Sequence, residues 1–314
     1  MTRLFEYIWL DSMGNCRSKI KLSNAESPLV WNYDGSSTGQ ADGNNSEVLI
    51  QPVRCVNHPF YPKNFHGQYN LLVLCETLNP DGTPHCDNTR RPAAEIFDRY
   101  KDQIPIYGLK QEFFLQRPGH KRIDDKEPQG RYYCGVGTQM EGREVVEEAM
   151  RKCEQTGMKI TGMNAEVAPL QWKLQLCESG ITAADNLVLL RYILVRVAEK
   201  HGYDVIFHPK PYAGDWNGSG CHTNFSTSAM RQDGGLEHIH AAIKKLAARH
   251  VEHMANYGHD NDLRFSWGVA DRGASIRIPS DVAKHGKGYF EDRRPSANMD
   301  PYLVTSMILE TINQ

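Results

Sequence analysis

The chain has 314 residues, of which 40% are hydrophobic and 24% charged, and its formal net charge is −2. Acids and bases are spread along the chain, which argues against the basic stripe of a nucleic-acid-binding protein and the polybasic anchor of a membrane-bound one. No apolar run approaches the ~20 residues of a membrane span, and acidic residues interrupt the N-terminus where a signal peptide would be apolar. We therefore expect a cytoplasmic protein that has neither nucleic acid nor membrane as a partner.

Eight cysteines are scattered along the chain without a C-x-x-C pair. That spacing is typical of reduced thiols rather than of a disulfide framework or a zinc site.

Strand and turn signals dominate up to about residue 90. The stretches "FEYIWLD", "PLVWNYD" and "YNLLVLCETL" predict strands. "RPAAEIFDRY" then begins the first convincing helix, with a proline in its first turn. Strands and helices alternate after it. The sequence therefore predicts a small β domain over residues 1–90 and a larger α+β domain over residues 91–314.

Two long helices are predicted in the second part of the chain. "TAADNLVLLRYILVRVAEKHG" carries an apolar stripe at helical spacing, and Thr182 is its predicted N-cap. "GGLEHIHAAIKKLAARHVEHMANYG" is predicted as one continuous helix.

The stretch "YGLKQEFFLQ" predicts a strand over residues 107–116. Lys110 and Glu112 are two residues apart and therefore point to the same face. On this stretch alone, a solvent-facing pair on an edge strand is the simpler interpretation. In "QWKLQ", Gln171, Lys173 and Gln175 share one face of another strand.

Four polar clusters interrupt otherwise apolar strands. Two are residue pairs, Lys110 with Glu112 and Glu166 with the later Lys173. The other two are the stretches "NGSGCHTNFS" around His222 and "ADRGASIRIP…GYFEDRRPSAN". The arginines of the last cluster suit bidentate capture of carboxylate or phosphate. Glutamates and a histidine on separate strands could converge on divalent metal ions. Each signal also has a plainer interpretation, as a packed histidine or as ordinary salt bridges.

Longer words in the sequence are more specific than these spacings. "WNYDGSSTGQA", "YYCGVG", "NAEV", "GDWNGSGCHTNFST", "DRGASIRIP" and "GYFEDRRPSANMDPY" together resemble type II glutamine synthetase, the eukaryote-like class. The resemblance runs from "EYIW" to the end of the chain.

This resemblance implies an α+β fold with a small N-terminal β-grasp domain and a catalytic domain built on a curved antiparallel sheet. It also implies a homo-oligomer of two stacked pentameric rings, with each active site between neighbouring subunits. The family makes γ-glutamyl phosphate from ATP and glutamate, and ammonia then displaces the phosphate. Mg²⁺ or Mn²⁺ ions hold the phosphates and neutralise charge.

Carried over residue by residue, the resemblance assigns roles to eleven positions of this chain. The metal-ligand positions are Glu112, Glu166, His222 and Glu291. The nucleotide-binding positions are Ser226, Arg272, Arg277 and Tyr289, of which the two arginines hold phosphates. Arg264 and Arg293 match the arginines that hold the glutamate carboxylate, and Arg264 is also counted with the catalytic residues. Asp34 matches the catalytic aspartate that helps to bind ammonium from the adjacent subunit.

The chain departs from the family pattern at three places. Lys110 and Lys173 stand where the family has metal-binding glutamates, one at each of two metal positions. Between Arg264 and Phe265 the family carries a further stretch, whose glutamate closes a flap over the site and takes the proton from ammonium. We therefore expect weakened binding of Mg²⁺ or Mn²⁺, and glutamine formation that is lost or severely weakened.

The favoured function is a binding or regulatory pseudoenzyme that retains ATP and glutamate, or an analogue, as ligands. The main alternative is an ATP-dependent carboxylate–amine ligase that joins glutamate to ammonia or a larger amine. An ordinary glutamine synthetase that tolerates the changes and a purely structural subunit remain as further alternatives.

Overall fold

The computed structural model describes residues 2–119, 129–258 and 264–314. The strands of this described part form two sheets, one of five and one of eight strands. No helix within the described ranges is long and apolar enough to cross a membrane.

The first sheet comes from the N-terminal quarter of the chain. Its strands are β1 (Arg3–Leu10), β2 (Cys16–Ser23), β3 (Trp31–Asp34), β4 (Glu47–Asn57) and β5 (Leu71–Leu78). Their order is β2-β1-β5-β4-β3, and β1 pairs with β5 in parallel while the other pairs are antiparallel. Side chains alternate along β1, so that Phe5, Tyr7 and Trp9 pack in a small core of their own while Ile8 joins the main core.

The second sheet holds the remaining strands. They are β6 (Ile106–Gln116), β7 (Ile160–Ala165), β8 (Gln171–Ser179), β9 (Asp204–Ile206), β10 (Cys221–Ser226), β11 (Trp267–Val269), β12 (Ile276–Ile278) and β13 (Phe290–Asp292). The order is β11-β12-β13-β10-β6-β8-β7, with β9 also paired to β6. All pairs are antiparallel except β11 with β12. The predicted α+β class with its antiparallel sheet is confirmed.

Seven α-helices lie in the described part of the chain. They are α1 (Arg90–Arg99), α2 (Arg143–Gln155), α3 (Thr182–Lys200), α4 (Gly235–Ala248), α5 (His250–Asn256), α6 (Ser280–His285) and α7 (Pro301–Asn313). Two details differ from the sequence prediction. Thr182 is the first helical residue of α3, and no side chain caps this helix. The predicted single helix over residues 234–258 is broken at Arg249, and the turn there accompanies a hydrogen bond of 2.8 Å from α5 to α7, between His253 and Thr311.

The main core runs from the inner face of the first sheet through α3 to the second sheet. A buried polar group joins the same parts, because Glu6 of β1 accepts hydrogen bonds from Tyr192 (2.5 Å) and Arg196 (3.1 Å) of α3 and lies 2.8 Å from His58. The domain boundary between residues 90 and 91 stays a prediction.

Candidate active site

The lysine and glutamate of "YGLKQEFFLQ" lie on a central strand. Strand β6 is hydrogen-bonded to β10 on one side and to β8 on the other. The edge-strand interpretation of Lys110 and Glu112 is therefore wrong. Both side chains point into a cleft on one face of the sheet, and that placement agrees with their spacing of two.

This cleft has a volume of about 950 Å³ and is walled by β6, β7, β8, β10, β12 and β13 together with connecting loops. It gathers nine of the charged or titratable residues singled out from the sequence. They are Lys110, Glu112, Glu166, Lys173, His222, Arg272, Arg277, Glu291 and Arg293. These side chains come from positions that are up to 183 residues apart, and the antiparallel sheet brings them onto one face.

Glu291 is the centre of one charged cluster. Its Oε1 accepts a hydrogen bond of 2.5 Å from Lys110 Nζ, and its Oε2 accepts one of 3.0 Å from Arg277 Nη1. Arg293 Nη1 lies 3.6 Å from Oε2, and His222 Nδ1 lies 3.9 Å from Oε1. Burial alone would raise the pKa of Glu291, but Lys110 and the other neighbours lower it to about 2. The carboxylate is thus ionised at neutral pH and surrounded by cations.

Glu166 forms a second, separate ion pair. Its Oε1 accepts hydrogen bonds from Lys173 Nζ at 2.6 Å and from Asn164 Nδ2 at 2.9 Å. The partners are almost fully enclosed, since the Lys173 and Glu166 side chains are 14% and 6% exposed. Lys110 and Lys173 are therefore each paired with a different glutamate.

Glu112 accepts a hydrogen bond of 2.9 Å from a backbone amide, Gly220 N, whereas the other two carboxylates of the cleft accept theirs from side chains. Burial, with the nearby charge of Glu166, raises the pKa of Glu112 to about 7. The cleft therefore contains one carboxyl group that titrates near neutral pH.

His222 is held neutral by its surroundings. Burial, followed by the positive charge of Arg293, lowers the pKa of His222 to about 3. The ring packs against Gly220, where a Cβ atom would lie 2.9 Å from Nε2. A side chain at position 220 would therefore displace the imidazole from the cleft wall.

A second cavity of about 270 Å³ adjoins the cleft and shares Lys110 and Gln175 with it. Ser226 and Tyr289, the two remaining nucleotide-binding candidates, line this cavity. Its other walls include the apolar side chains of Ile106, Leu176 and Phe225. The Ser226 hydroxyl already accepts a hydrogen bond of 2.8 Å from Arg231 Nη1. A polar, cationic cleft thus opens beside a smaller cavity with apolar walls.

The sequence of this chain was compared with those of known proteins. The family model "Glutamine synthetase, catalytic domain" matches residues 90–242. Glutamine synthetase of Yarrowia lipolytica is 48% identical over 334 residues, which covers 98% of this chain and 90% of that protein. Glutamine synthetase of Neurospora crassa is 49% identical over 333 residues, with coverage of 98% and 90%. The chain belongs to the glutamine synthetase family.

Solved structures agree on the glutamine synthetase fold. A Plasmodium falciparum glutamine synthetase superposes with a TM-score of 0.81 at 15% identity, covering 99% of this chain and 71% of that one. A GmaS complex with ADP gives a TM-score of 0.80 at 21% identity, with coverage of 99% and 78%. At these identities the likeness concerns the fold alone. It confirms the predicted fold class.

Two candidates from the glutamine synthetase resemblance, Asp34 and Arg264, line neither the cleft nor the adjoining cavity. Asp34 is exposed, and its carboxylate accepts hydrogen bonds from Ser36 Oγ (2.7 Å) and Ser37 Oγ (2.6 Å), at the start of a one-turn helix. Arg264 is also exposed, and its backbone carbonyl accepts a bond from the Ser275 hydroxyl. Their catalytic and substrate-binding roles stay predictions.

Some cleft residues were given no role from the sequence. Gln175 lines the cleft on the same face as Lys173, as the strand period predicts, but its amide was assigned no function. Asn164 stands in "NAEV", two residues before Glu166, and its amide holds that carboxylate. Lys210 enters from a loop between β9 and β10, where no periodic signal points to it.

Proposed function

We propose that this member of the glutamine synthetase family binds ligands in its cleft but has lost, or nearly lost, ordinary ATP-dependent glutamine formation. It would act as a binding or regulatory pseudoenzyme. One observation carries the proposal. The ammonium group of Lys110 is hydrogen-bonded to Glu291 and that of Lys173 to Glu166, and the family resemblance assigns both glutamates to metal binding.

The side chains present do not fit divalent metal ions. A carboxylate must give an oxygen to Mg²⁺ or Mn²⁺, yet both oxygens of Glu291 and one of Glu166 already hold cationic side chains. A unit-charge contact at ~4 Å is worth about 4 kcal/mol at an effective dielectric near 20. Replacing a ligand carboxylate by an ammonium turns such an attraction into repulsion, and a dication doubles the effect.

A geometric comparison supports the same view. In the described ranges, one group of three His, Cys, Asp or Glu side chains has ligand atoms within 4.8 Å of one another, and it consists of His85, Cys86 and Asp87. These are consecutive residues outside the cleft. Among Glu112, Glu166, Glu291 and His222 of the cleft, no three residues have ligand atoms that all lie within 4.8 Å of one another.

The length of the alignment with a relative supports the proposed loss of turnover independently. The alignment with the Yarrowia protein spans 334 residues, 20 more than this whole chain contains. Relatives therefore carry residues without a counterpart here. We assign part of this difference to the flap between Arg264 and Phe265, which would carry the base for ammonium and exclude water from the acyl phosphate.

The ligand positions remain suited to anions. Arg272 and Arg277 would hold phosphates, Arg293 would hold the glutamate carboxylate together with Arg264, and Ser226 and Tyr289 would meet the nucleoside. We also propose a homo-oligomer of two stacked pentameric rings in the cytoplasm, in which Asp34 of one subunit faces the cleft of the next. Its exposure in one chain is compatible with such a contact.

A second candidate function is a ligase for a larger amine. The absent flap would admit such a substrate, and Glu112 has a pKa of about 7, which suits a base that accepts the amine proton. This alternative requires the phosphoryl transfer to proceed without the usual metal ligands.

A coupled assay tests both functions. Phosphate release and glutamine formation are measured with ATP, glutamate, Mg²⁺ or Mn²⁺ and ammonium, and then with a series of alkylamines. The Neurospora crassa relative is assayed in parallel. We expect no product above background with any amine. Phosphate release that requires both glutamate and ammonium would overturn the pseudoenzyme proposal, and release that requires glutamate and a larger amine would establish the ligase.

A further inference from the structure

The cleft carries more positive than negative side chains. Six cationic residues line it, namely Lys110, Lys173, Lys210, Arg272, Arg277 and Arg293. The carboxylates that line it number three, Glu112, Glu166 and Glu291. Among the described side chains of the cleft the excess is therefore three positive charges even when every carboxyl group is ionised. Such a cleft attracts a polyanion without help from a bound ion.

Two of these cations are fixed at the base of the cleft. The side chain of Lys110 is 18% exposed and pairs with Glu291, which is 2% exposed. The side chain of Lys173 is 14% exposed and pairs with Glu166, which is 6% exposed. An ammonium group has three N–H donors. Each lysine donates one hydrogen bond to its glutamate, so further donors can face a ligand in the cleft. The glutamates hold the ammonium groups in place, as ligands would hold a metal ion.

The adjoining cavity suggests what the anion carries. Lys110 and Gln175 belong to both the cleft and the smaller cavity. Ile106, Leu176 and Phe225 give that cavity apolar walls, while Ser226 and Asn224 offer polar groups. A flat heteroaromatic ring in the cavity would place an attached phosphate chain beside Lys110 and Arg277. A nucleoside di- or triphosphate has this combination of parts.

We infer that Lys110 and Lys173 act as built-in cations, and that the cleft binds a nucleoside polyphosphate directly, without a divalent metal ion. This inference deepens the proposed function and rests on it. It follows that Mg²⁺ should weaken binding, because an Mg²⁺-bound polyphosphate offers less negative charge to the lysines and brings a dication towards them.

Calorimetry tests the inference with ATP and ADP as probes, first in EDTA and then with excess Mg²⁺ or Mn²⁺. We expect binding in EDTA that is at least as tight as binding with Mg²⁺. Inorganic tripolyphosphate and adenosine, titrated separately, test the two parts of the site, and each should bind at least fivefold more weakly than ATP. Binding of ATP that requires Mg²⁺ would overturn the inference, and so would tripolyphosphate binding as tight as that of ATP.

Variants connect the result to the two lysines. Lys110→Met with Lys173→Met should weaken ATP binding in EDTA at least tenfold, whereas Lys110→Arg with Lys173→Arg keeps the charge and should retain most of it. A matched control, Lys244→Met with Lys284→Met, removes two exposed lysines from α4 and α6 and should change nothing. Thermal unfolding verifies that each variant is folded. Equal loss in the methionine and arginine pairs would contradict a role of charge.

The two proposals fail in different ways. Turnover of ATP in the coupled assay would remove the pseudoenzyme proposal whatever the metal requirement of binding. If ATP does not bind without metal and is not turned over, the inference that the lysines act as built-in cations fails, and the pseudoenzyme proposal stands.

Discussion

Lys173 lies directly opposite Glu112 in the register of β8 and β6, yet its ammonium group turns to Glu166, 2.6 Å away. Two features affect the ionisation of Glu112: Lys173 pairs with Glu166 rather than with Glu112, and the carboxyl group of Glu112 is buried. Glu112 accepts a hydrogen bond from the backbone amide of Gly220, and its pKa is raised to about 7 by burial and by Glu166.

This arrangement predicts a stability that falls as pH rises. The pKa of Glu112 is higher in the folded state than the ordinary 4.5, so the folded protein holds this proton more tightly than the unfolded chain. The resulting stability is fully present below pH 4.5 and is lost as the pH rises to about 7, by up to about 3 kcal/mol. In urea unfolding of Glu112→Gln, this decrease in the free energy of unfolding with rising pH should be absent. The variant should therefore gain stability over the parent at pH 8 and little at pH 4.5, and an equal change at both pH values would contradict the assignment.

Glu6 predicts the opposite pH dependence. Burial would raise its pKa, but His58, Tyr192 and Arg196 together lower it below 4.5. Its contribution to stability is therefore present above pH 4.5 and is lost as the pH falls through the lowered pKa. Glu6→Gln should cost about 3 kcal/mol at pH 7, because it removes the buried carboxylate that accepts hydrogen bonds from Tyr192 and from the partly buried Arg196.

Glu199 offers the matched control for this second prediction. It also lies near Arg196, at 3.4 Å, but its side chain is 73% exposed. Exposed pairs contribute about 0–1 kcal/mol, so Glu199→Gln should leave unfolding nearly unchanged at both pH 7 and pH 4. If the two variants lose equal stability, the buried Glu6 carboxylate does not stabilise the contact between β1 and α3 as proposed.

Restoring negative charge at the two lysines should create metal affinity. Lys110→Glu with Lys173→Glu would return carboxylates beside Glu291, His222 and Glu166, and we expect Mn²⁺ affinity to rise at least tenfold because repulsion becomes attraction. Calorimetry with Mn²⁺ measures this. Lys210→Glu changes the charge of the same cleft without removing either ion pair, and it should raise the affinity much less.

The same double variant separates the two defects. Glutamine synthesis should stay absent, because no base has been supplied in place of the flap. Glutamate-dependent hydrolysis of ATP is the activity that could appear, since water reaches an unprotected acyl phosphate. Full glutamine synthesis in a coupled assay would show that the flap is not needed here.

The proposed assembly is tested in solution. Light scattering after size-exclusion chromatography should give about ten times the chain mass of 35.6 kDa. A species with the mass of one chain at micromolar concentration would contradict the rings and would leave Asp34 without a neighbouring cleft to face.

Much of the site could be predicted from the sequence, because a period of two places Lys110 with Glu112 and Lys173 with Gln175. The partner of each lysine could not. Glu291 is 181 residues from Lys110, and sequence patterns carry no register between strands so far apart. The same limit explains why β6 could be mistaken for an edge strand.

Short or irregular elements were the other limit. Strand β13 has three residues, which is too few for a periodic signal, and it nevertheless supplies Glu291. Strand β4 carries Pro52 at an irregularity of its pairing with β5, and a proline argues against a strand. The break at Arg249 has no glycine or proline to mark it.

The cations at the base of this cleft are joined to the chain by covalent bonds. A metal ion can dissociate, be removed by a chelator or be exchanged for another metal, and occupancy of a metal-dependent site therefore follows the ionic composition of the cell. The ammonium groups of Lys110 and Lys173 have no such equilibrium. With the two lysines as its cations, the cleft needs no metal ion of its own, and its occupancy would follow the concentration of the metal-free form of its anionic ligand.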